Sequence, residues 1–180
     1  MHVELAPRPQ LARPAPVQVR LASVRDCEAV ASIYNEGIEE RQATFETGFR
    51  SPADICEWLA GAAELPLFVA VDEDGVCGWG RLTRYSERPA YAGVNEVSVY
   101  VARAARGRGV ATALLTRLAE EAERRGRWKL VSKVFATNTA SLALLASCGW
   151  REVGIHERHA RRDGEWRDVV AVERTLGRAE

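Results

Sequence analysis

No apolar run in this chain approaches the ~20 residues that a membrane helix needs. The longest strongly apolar stretches are short, such as Leu67–Val71. An excess of one charge is missing too, because 25 Lys and Arg balance 25 Asp and Glu. A general nucleic-acid binder carries a basic footprint, and this total offers none. Cysteine is sparse: Cys27, Cys56, Cys77 and Cys148 stand far apart and form no CxxC pair. His2 and His156 have no partners at metal-ligand spacing, so no metal is expected. Residues 1–16 lack the continuous apolar segment of a secretory signal. The expectation is therefore a cytoplasmic protein with four reduced structural thiols. Pro7, Pro9, Pro14 and Pro16 instead mark a flexible or polyproline-like tail.

What is present is an ordinary globular composition, 47% apolar and 28% charged over 180 residues. That length suits one domain with a substantial core, here residues 17–176 between tails 1–16 and 177–180. Val17–Leu21 alternates as a strand. Val30, Ile33, Tyr34 and Gly37 have helical spacing, after a capping box at Ser23–Asp26. Ser51-Pro52 starts a second helix, with Ile55, Trp58, Leu59 and Ala62 as its buried stripe. Strands follow at 67–72 and 76–85, joined at Asp74-Gly75, then at 94–101. Gly78 and Gly80 suggest a bulge or a close backbone approach. After Arg103–Ala111, the residues Ala113, Leu114, Leu118 and Ala122 extend a helix that closes at Gly126, and 129–136 is a strand. A short helix over 141–147 ends at Gly149, and two strands flank Asp163-Gly164. The order βααβββαβαββ predicts a mixed α/β (α+β) fold, with a largely antiparallel sheet flanked by helices.

The chemistry concentrates between the fourth strand and the third helix. Arg106-Gly107-Arg108-Gly109-Val110-Ala111 places two glycines before a helix start. Glycines let the backbone turn tightly, and the first helical amides have no internal partner. A phosphate fits that position, helped by the helix dipole and by Arg103, Arg106 and Arg108. A P-loop would need Gly-Lys-Ser/Thr, which is absent. A dinucleotide fingerprint would need Gly or Ala where Thr112 stands. The pyrophosphate of coenzyme A and a plain solvated surface loop stay open on these residues alone.

Arg106–Ala111 resembles the Arg/Gln-x-x-Gly-x-Gly/Ala motif of the GNAT N-acetyltransferase superfamily. Asn138–Ser141 followed by Cys148–Gly154 is similar to its second cofactor segment. Ile33-Tyr-Asn35, Ala43-Thr-Phe-Glu46, Asn95–Val101 and Gly164–Asp168 resemble the phosphinothricin acetyltransferase family within it. Trp128–Ser132 and Trp166–Val170 are similar to arsinothricin N-acetyltransferases. The likeness covers about 17–176.

The resemblance implies acetyl-CoA as co-substrate, a small-molecule amine as acceptor, and a homodimer. Val99, Tyr100 and Val101 would run beside the pantetheine arm. Arg106, Gly107, Arg108, Gly109, Val110, Ala111 and Thr112 would hold the pyrophosphate. Asn138 and Ser141 would contact the pantetheine and the adenosine side. Glu96 would be the general base that frees the attacking amine. It alternates with Val97, Val99 and Val101 and shares a face with Ser98 and Tyr100. Tyr100 and His159 are candidates for returning a proton to the leaving thiolate. Phe45, Arg84, Arg88 and Tyr91 would bind the substrate. Relatives often carry Tyr-Arg-x-Arg here; this chain has Tyr85-Ser-Glu-Arg88, with Ser86 for one arginine. Acceptors of phosphinothricin, arsinothricin or methionine sulfoximine type are implied. A peptide N-terminus, a polyamine, or acetyl-CoA binding without turnover are the alternatives.

Overall fold

The computed structural model describes residues 17–61 and 64–177. The proposed tail 1–16 and the helix residue Ala62 lie outside them. A seven-stranded sheet runs in the order β1-β2-β3-β4-β5-β7-β6. Its strands are β1 (Gln18–Leu21), β2 (Leu67–Asp72), β3 (Gly75–Arg84), β4 (Val94–Val101), β5 (Lys129–Phe135), β6 (Arg151–Arg162) and β7 (Glu165–Thr175). Every pairing is antiparallel except β4 with β5. The element order matches the one read from the sequence. No helix among the described residues is long and apolar enough to cross a membrane.

Helices α1 (Cys27–Glu40) and α2 (Pro52–Ala60) cover one face of the sheet; α3 (Val110–Arg124) and α4 (Thr139–Ser147) cover the other. Period-two alternation in β2 feeds both cores. Leu67 and Val69 meet Val30, Ile33 and Ile55, whereas Phe68 and Ala70 meet Leu114 and Leu118. The α1 stripe is buried as its spacing predicts, and Gly37 lets Tyr100 approach; a Cβ there would stand 3.3 Å from its ring. Gly78 and Gly80 are close-approach sites. A Cβ at Gly78 would sit 2.8 Å from Val110, and one at Gly80 would sit 2.9 Å from Leu118.

The thiol expectation needs correction. Cys27 and Cys56 form a disulfide with 5.9 Å between Cα atoms, while Cys77 and Cys148 stay free. The 29-residue separation hides the pairing in the sequence. Packing of α2 across the start of α1 brings the two together, within ordinary bridging distance.

Candidate active site

The parallel β4–β5 pairing is short. It joins Val94, Asn95 and Glu96 to Lys129, Leu130 and Val131, and it ends there. β4 continues to Val101 against β3, and β5 turns away toward β7 through Phe135. Ser132 spans the start of the opening, donating from Oγ to the Val97 carbonyl oxygen at 3.0 Å. The wedge beyond leaves one edge of β4 without a partner strand over Val97–Val101, though side chains of Ser132 and Arg106 reach the carbonyls at its two ends. A cavity of about 620 Å³ fills this wedge.

Glu96, Val99, Tyr100, Val101, Arg106, Gly107, Gly109, Val110, Ala111, Thr112, Asn138, Ser141 and Phe45 all line the cavity. At one end lies the start of α3. Gly107 and Gly109 have φ of 75° and 82°, a region open to glycine at no steric cost. The first helical bond runs from Ala113 N to Gly109 O. The amides of Val110, Ala111 and Thr112 therefore have no partner inside the helix. A Cβ at either glycine would meet nothing within 4 Å. This open cradle of amides fits a pyrophosphate.

The arginines around it are engaged within the protein. Arg103 Nε and Arg106 Nη2 reach the Glu40 carboxylate at 2.8 and 2.9 Å. Against the upward push of burial, Arg106 and Arg103 hold the Glu40 carboxyl below its ordinary value. Arg108 pairs with the buried Asp72 at 3.1 Å and is not among the cavity's lining residues. The amides of the loop are thus its main free donors. Asn138 caps α4, accepting from Ser141 N at 3.1 Å, and donates to the Gln42 carbonyl oxygen at 3.1 Å.

Toward the α1–α2 face the lining changes to Glu96, Ser98 and Tyr100, whose side chains alternate with the valines. Burial pushes the Tyr100 hydroxyl well above its ordinary value, so it keeps its proton at neutral pH. It donates to the Ala43 carbonyl oxygen at 3.3 Å. Phe45 packs against Phe135 with tilted rings, 4.5 Å between ring centres, and closes that side. The remaining substrate candidates are not brought here. Arg84, Arg88 and Tyr91 do not line the cavity. Arg84 is exposed and tied to Glu64 and Glu87, each at 2.8 Å. Tyr91 packs on Tyr85. His159 stacks on His156 and does not line the cavity.

A model of the acetyltransferase (GNAT) family matches residues 30–150, which take in most of α1, the wedge, Arg106–Ala111 and Asn138–Ser141. The chain belongs to that family. This acetyltransferase is 39% identical over 160 residues to YwnH of Bacillus subtilis, provisionally named a phosphinothricin acetyltransferase; the match covers 88% of this chain and 98% of that protein. It is 32% identical to a phosphinothricin N-acetyltransferase of Streptomyces coelicolor, over 90% of this chain and 98% of the relative. A phosphinothricin acetyltransferase of Sinorhizobium meliloti, solved in complex with acetyl-CoA, superposes with a TM-score of 0.84 at 27% identity, covering 89% of each chain. A ribosomal-protein-alanine N-acetyltransferase of Brucella melitensis gives 0.85 at 30% identity, covering 88% of this chain and 99% of that one.

Proposed function

We propose that this enzyme moves the acetyl group of acetyl-CoA onto the primary amine of a small amino-acid-like substrate, of phosphinothricin, arsinothricin or methionine sulfoximine type. The observation that carries the reading is the place of Glu96. It is the last β4 residue paired with β5, so its carboxylate stands where the wedge opens. The pantetheine arm lies along the free edge of β4 and pairs with the backbone of Val99 and Val101 as an added strand does. The pyrophosphate takes the amides of 107–112. The thioester then reaches the Glu96 end.

An amine is mostly protonated at neutral pH. Glu96 accepts that proton, and the freed nitrogen attacks the thioester carbonyl carbon directly. The C–N bond forms, the C–S bond breaks, and the electron pair leaves on the CoA sulfur. Tyr100, which keeps its proton and lines the cavity, is the group on hand to donate a hydrogen bond to that thiolate until it takes a proton from solvent. No acyl-cysteine is needed, and Cys148 is a packing thiol. The amino-acid acceptor draws on the names of the relatives above and on the small chamber closed by Phe45. We further infer a homodimer: Val153, Ile155 and Trp166 on the β6–β7 hairpin are 54–60% exposed and suit a second copy.

A thiol-release assay with acetyl-CoA over a panel of amines tests the function. Release with phosphinothricin or methionine sulfoximine, and none with peptides or polyamines, is the expected result. Release with peptides alone would move the acceptor to a peptide N-terminus. Acetyl-CoA binding without release on any amine would reduce the protein to a binding module.

A further inference from the structure

Four charged residues line the cavity: Glu40, Glu96, Arg106 and Lys133. Glu40 and Arg106 pair with each other at the cofactor-loop end, at 2.9 Å. That leaves Glu96 and Lys133. Among the described residues neither side chain has an ion-pair partner. Glu173, which faces Val131 one position back along β5, is taken by Lys129 and Arg151.

Alternation along β5 decides which way Lys133 projects. Val134 packs into the core with α3 and α4. Lys133 and Phe135 therefore leave the opposite face, and Phe135 meets Phe45 there. Glu96 leaves that same face of the sheet, because its neighbour Val97 is in the α3 core. Glu96 pairs with Val131, and Lys133 lies two residues further along β5. At about 4.8 Å between strands and 3.3 Å per residue, the two backbones are about 8 Å apart, and more as the strands splay. A carboxylate and an ammonium thus flank the acceptor chamber, with the Phe45–Phe135 pair beyond the ammonium. Lys133 is exposed through the open side of the wedge. An exposed lysine needs no partner of its own, but here it is the one unpaired cation among the described lining residues. An anion that enters the chamber meets this compact point charge.

We propose that Lys133 binds the anionic head of the acceptor's side chain, and so selects acids with a charged phosphinate or arsinate head over those whose head is neutral. The α-carboxylate does not suit that place. It leaves the same carbon as the amine, and the amine is held at Glu96. A head two methylenes further out spans the gap toward Lys133. Phosphinothricin and arsinothricin carry a negative charge on that head. Methionine sulfoximine has the same spacing and a tetrahedral centre of similar shape, with no charge on it. The two kinds of acceptor therefore differ mainly in what they offer Lys133. This proposal rests on the N-acetyltransferase reading above and chooses among its acceptors.

The test compares phosphinothricin with methionine sulfoximine in the thiol-release assay, using the wild type, Lys133→Met and Lys133→Arg. Methionine keeps most of the apolar stem and removes the charge. In Lys133→Met the KM for phosphinothricin should rise about tenfold, the worth of one charge-assisted contact at a partly open site. The KM values for methionine sulfoximine and for acetyl-CoA should move by no more than about twofold. Lys133→Arg should recover most of the loss. Equal losses on both acids would place Lys133 at the carboxylate they share and overturn the assignment. An unchanged KM for phosphinothricin, or wild-type turnover of methionine sulfoximine alone, would overturn it too. If the wild type releases thiol with neither acid, the proposed acceptor falls, and calorimetry decides the anchor separately. Phosphinothricin is then titrated into protein saturated with CoA. Binding to the wild type that weakens about tenfold in Lys133→Met upholds the anchor; no binding to the wild type, or equal binding to both, removes it.

Discussion

Arg162, only 4% exposed, reaches from the end of β6 to the backbone carbonyl oxygen of Thr44. Its second nitrogen donates to the Ile38 carbonyl oxygen at 2.9 Å. One guanidinium thus ties the β6–β7 hairpin to both ends of the turn leaving α1. That turn carries Gln42, Ala43 and Phe45 into the cavity wall. Arg162→Ala should leave the Thr44 carbonyl oxygen unpaired, while the Ile38 carbonyl keeps Arg41 N as a donor, and should cost about 1–3 kcal/mol, read by urea unfolding. The same variant should raise the KM for the amine more than that for acetyl-CoA, since the wall it releases is on the amine side. Equal effects on both substrates would show that the contact serves stability alone.

Glu96→Gln keeps the shape and hydrogen-bonding reach of the side chain but cannot take a proton. If Glu96 is the base, kcat should fall about 10²- to 10⁴-fold. Acetyl-CoA affinity should stay within about twofold by calorimetry, because the cofactor contacts lie from Val99 onward. The loss should shrink as pH rises and more amine arrives already deprotonated. Near-normal turnover at pH 7 would remove the assignment.

Asp26 gives a prediction about pH and stability. Arg20 holds it with two hydrogen bonds of 2.8 Å, and Ser23 donates from N and Oγ. Arg20 above all lowers its pKa from 3.8 to about 2. A carboxyl lowered on folding stabilises the native state above its unfolded pKa. That contribution is complete above about pH 5 and is lost as pH falls through 4 toward 2. Asp26→Asn should cost about 1–2 kcal/mol at pH 7, the worth of a helix-start cap with a charged partner. Its unfolding free energy should converge with that of the wild type near pH 2. Parallel curves down to that pH would mean that the charge is not what stabilises this corner.

Much of this site was readable from local pattern. The glycines at 107 and 109 announced a positive-φ loop before a helix, and the alternation over 94–101 put Glu96 opposite the valines. Both signals are local, and the backbone obeys them. The rest is decided by register and packing. Arg84 and Arg88 flank the β3–β4 connection in sequence. Alternation along β3 instead puts Arg84 on the face of Leu82, away from that of Glu96, where it pairs with Glu64 and Glu87. The Cys27–Cys56 bridge depends on how two helices pack, which spacing does not encode. Arg103 and Arg108 read as free phosphate ligands, but Glu40 and Asp72 had already claimed them.

Gly78 and Gly80 separate stability from cofactor binding on one strand. Each leaves room for α3, and a methyl group at either would press on a side chain under 3.0 Å away. Overpacking of this kind costs about 1–3 kcal/mol, so both alanine variants should unfold earlier in urea. Their functional effects should differ. At Gly78 the added methyl meets Val110, the first residue of α3, and also stands 3.1 Å from the Tyr100 carbonyl oxygen. Relief there must shift the turn whose amides face the pyrophosphate. At Gly80 the methyl meets Leu118, two turns further along the helix, and stands 3.1 Å from a Val99 methyl; the pantetheine would use the Val99 backbone rather than that side chain, so the cradle keeps its geometry. Gly78→Ala should therefore weaken acetyl-CoA binding about tenfold, roughly the worth of one misplaced charge-assisted hydrogen bond. Gly80→Ala should bind acetyl-CoA within about twofold of wild type, its energetic cost confined to packing. If both variants lose affinity equally, α3 moves as a rigid rod, and the cradle is coupled to the whole helix rather than to its first turn.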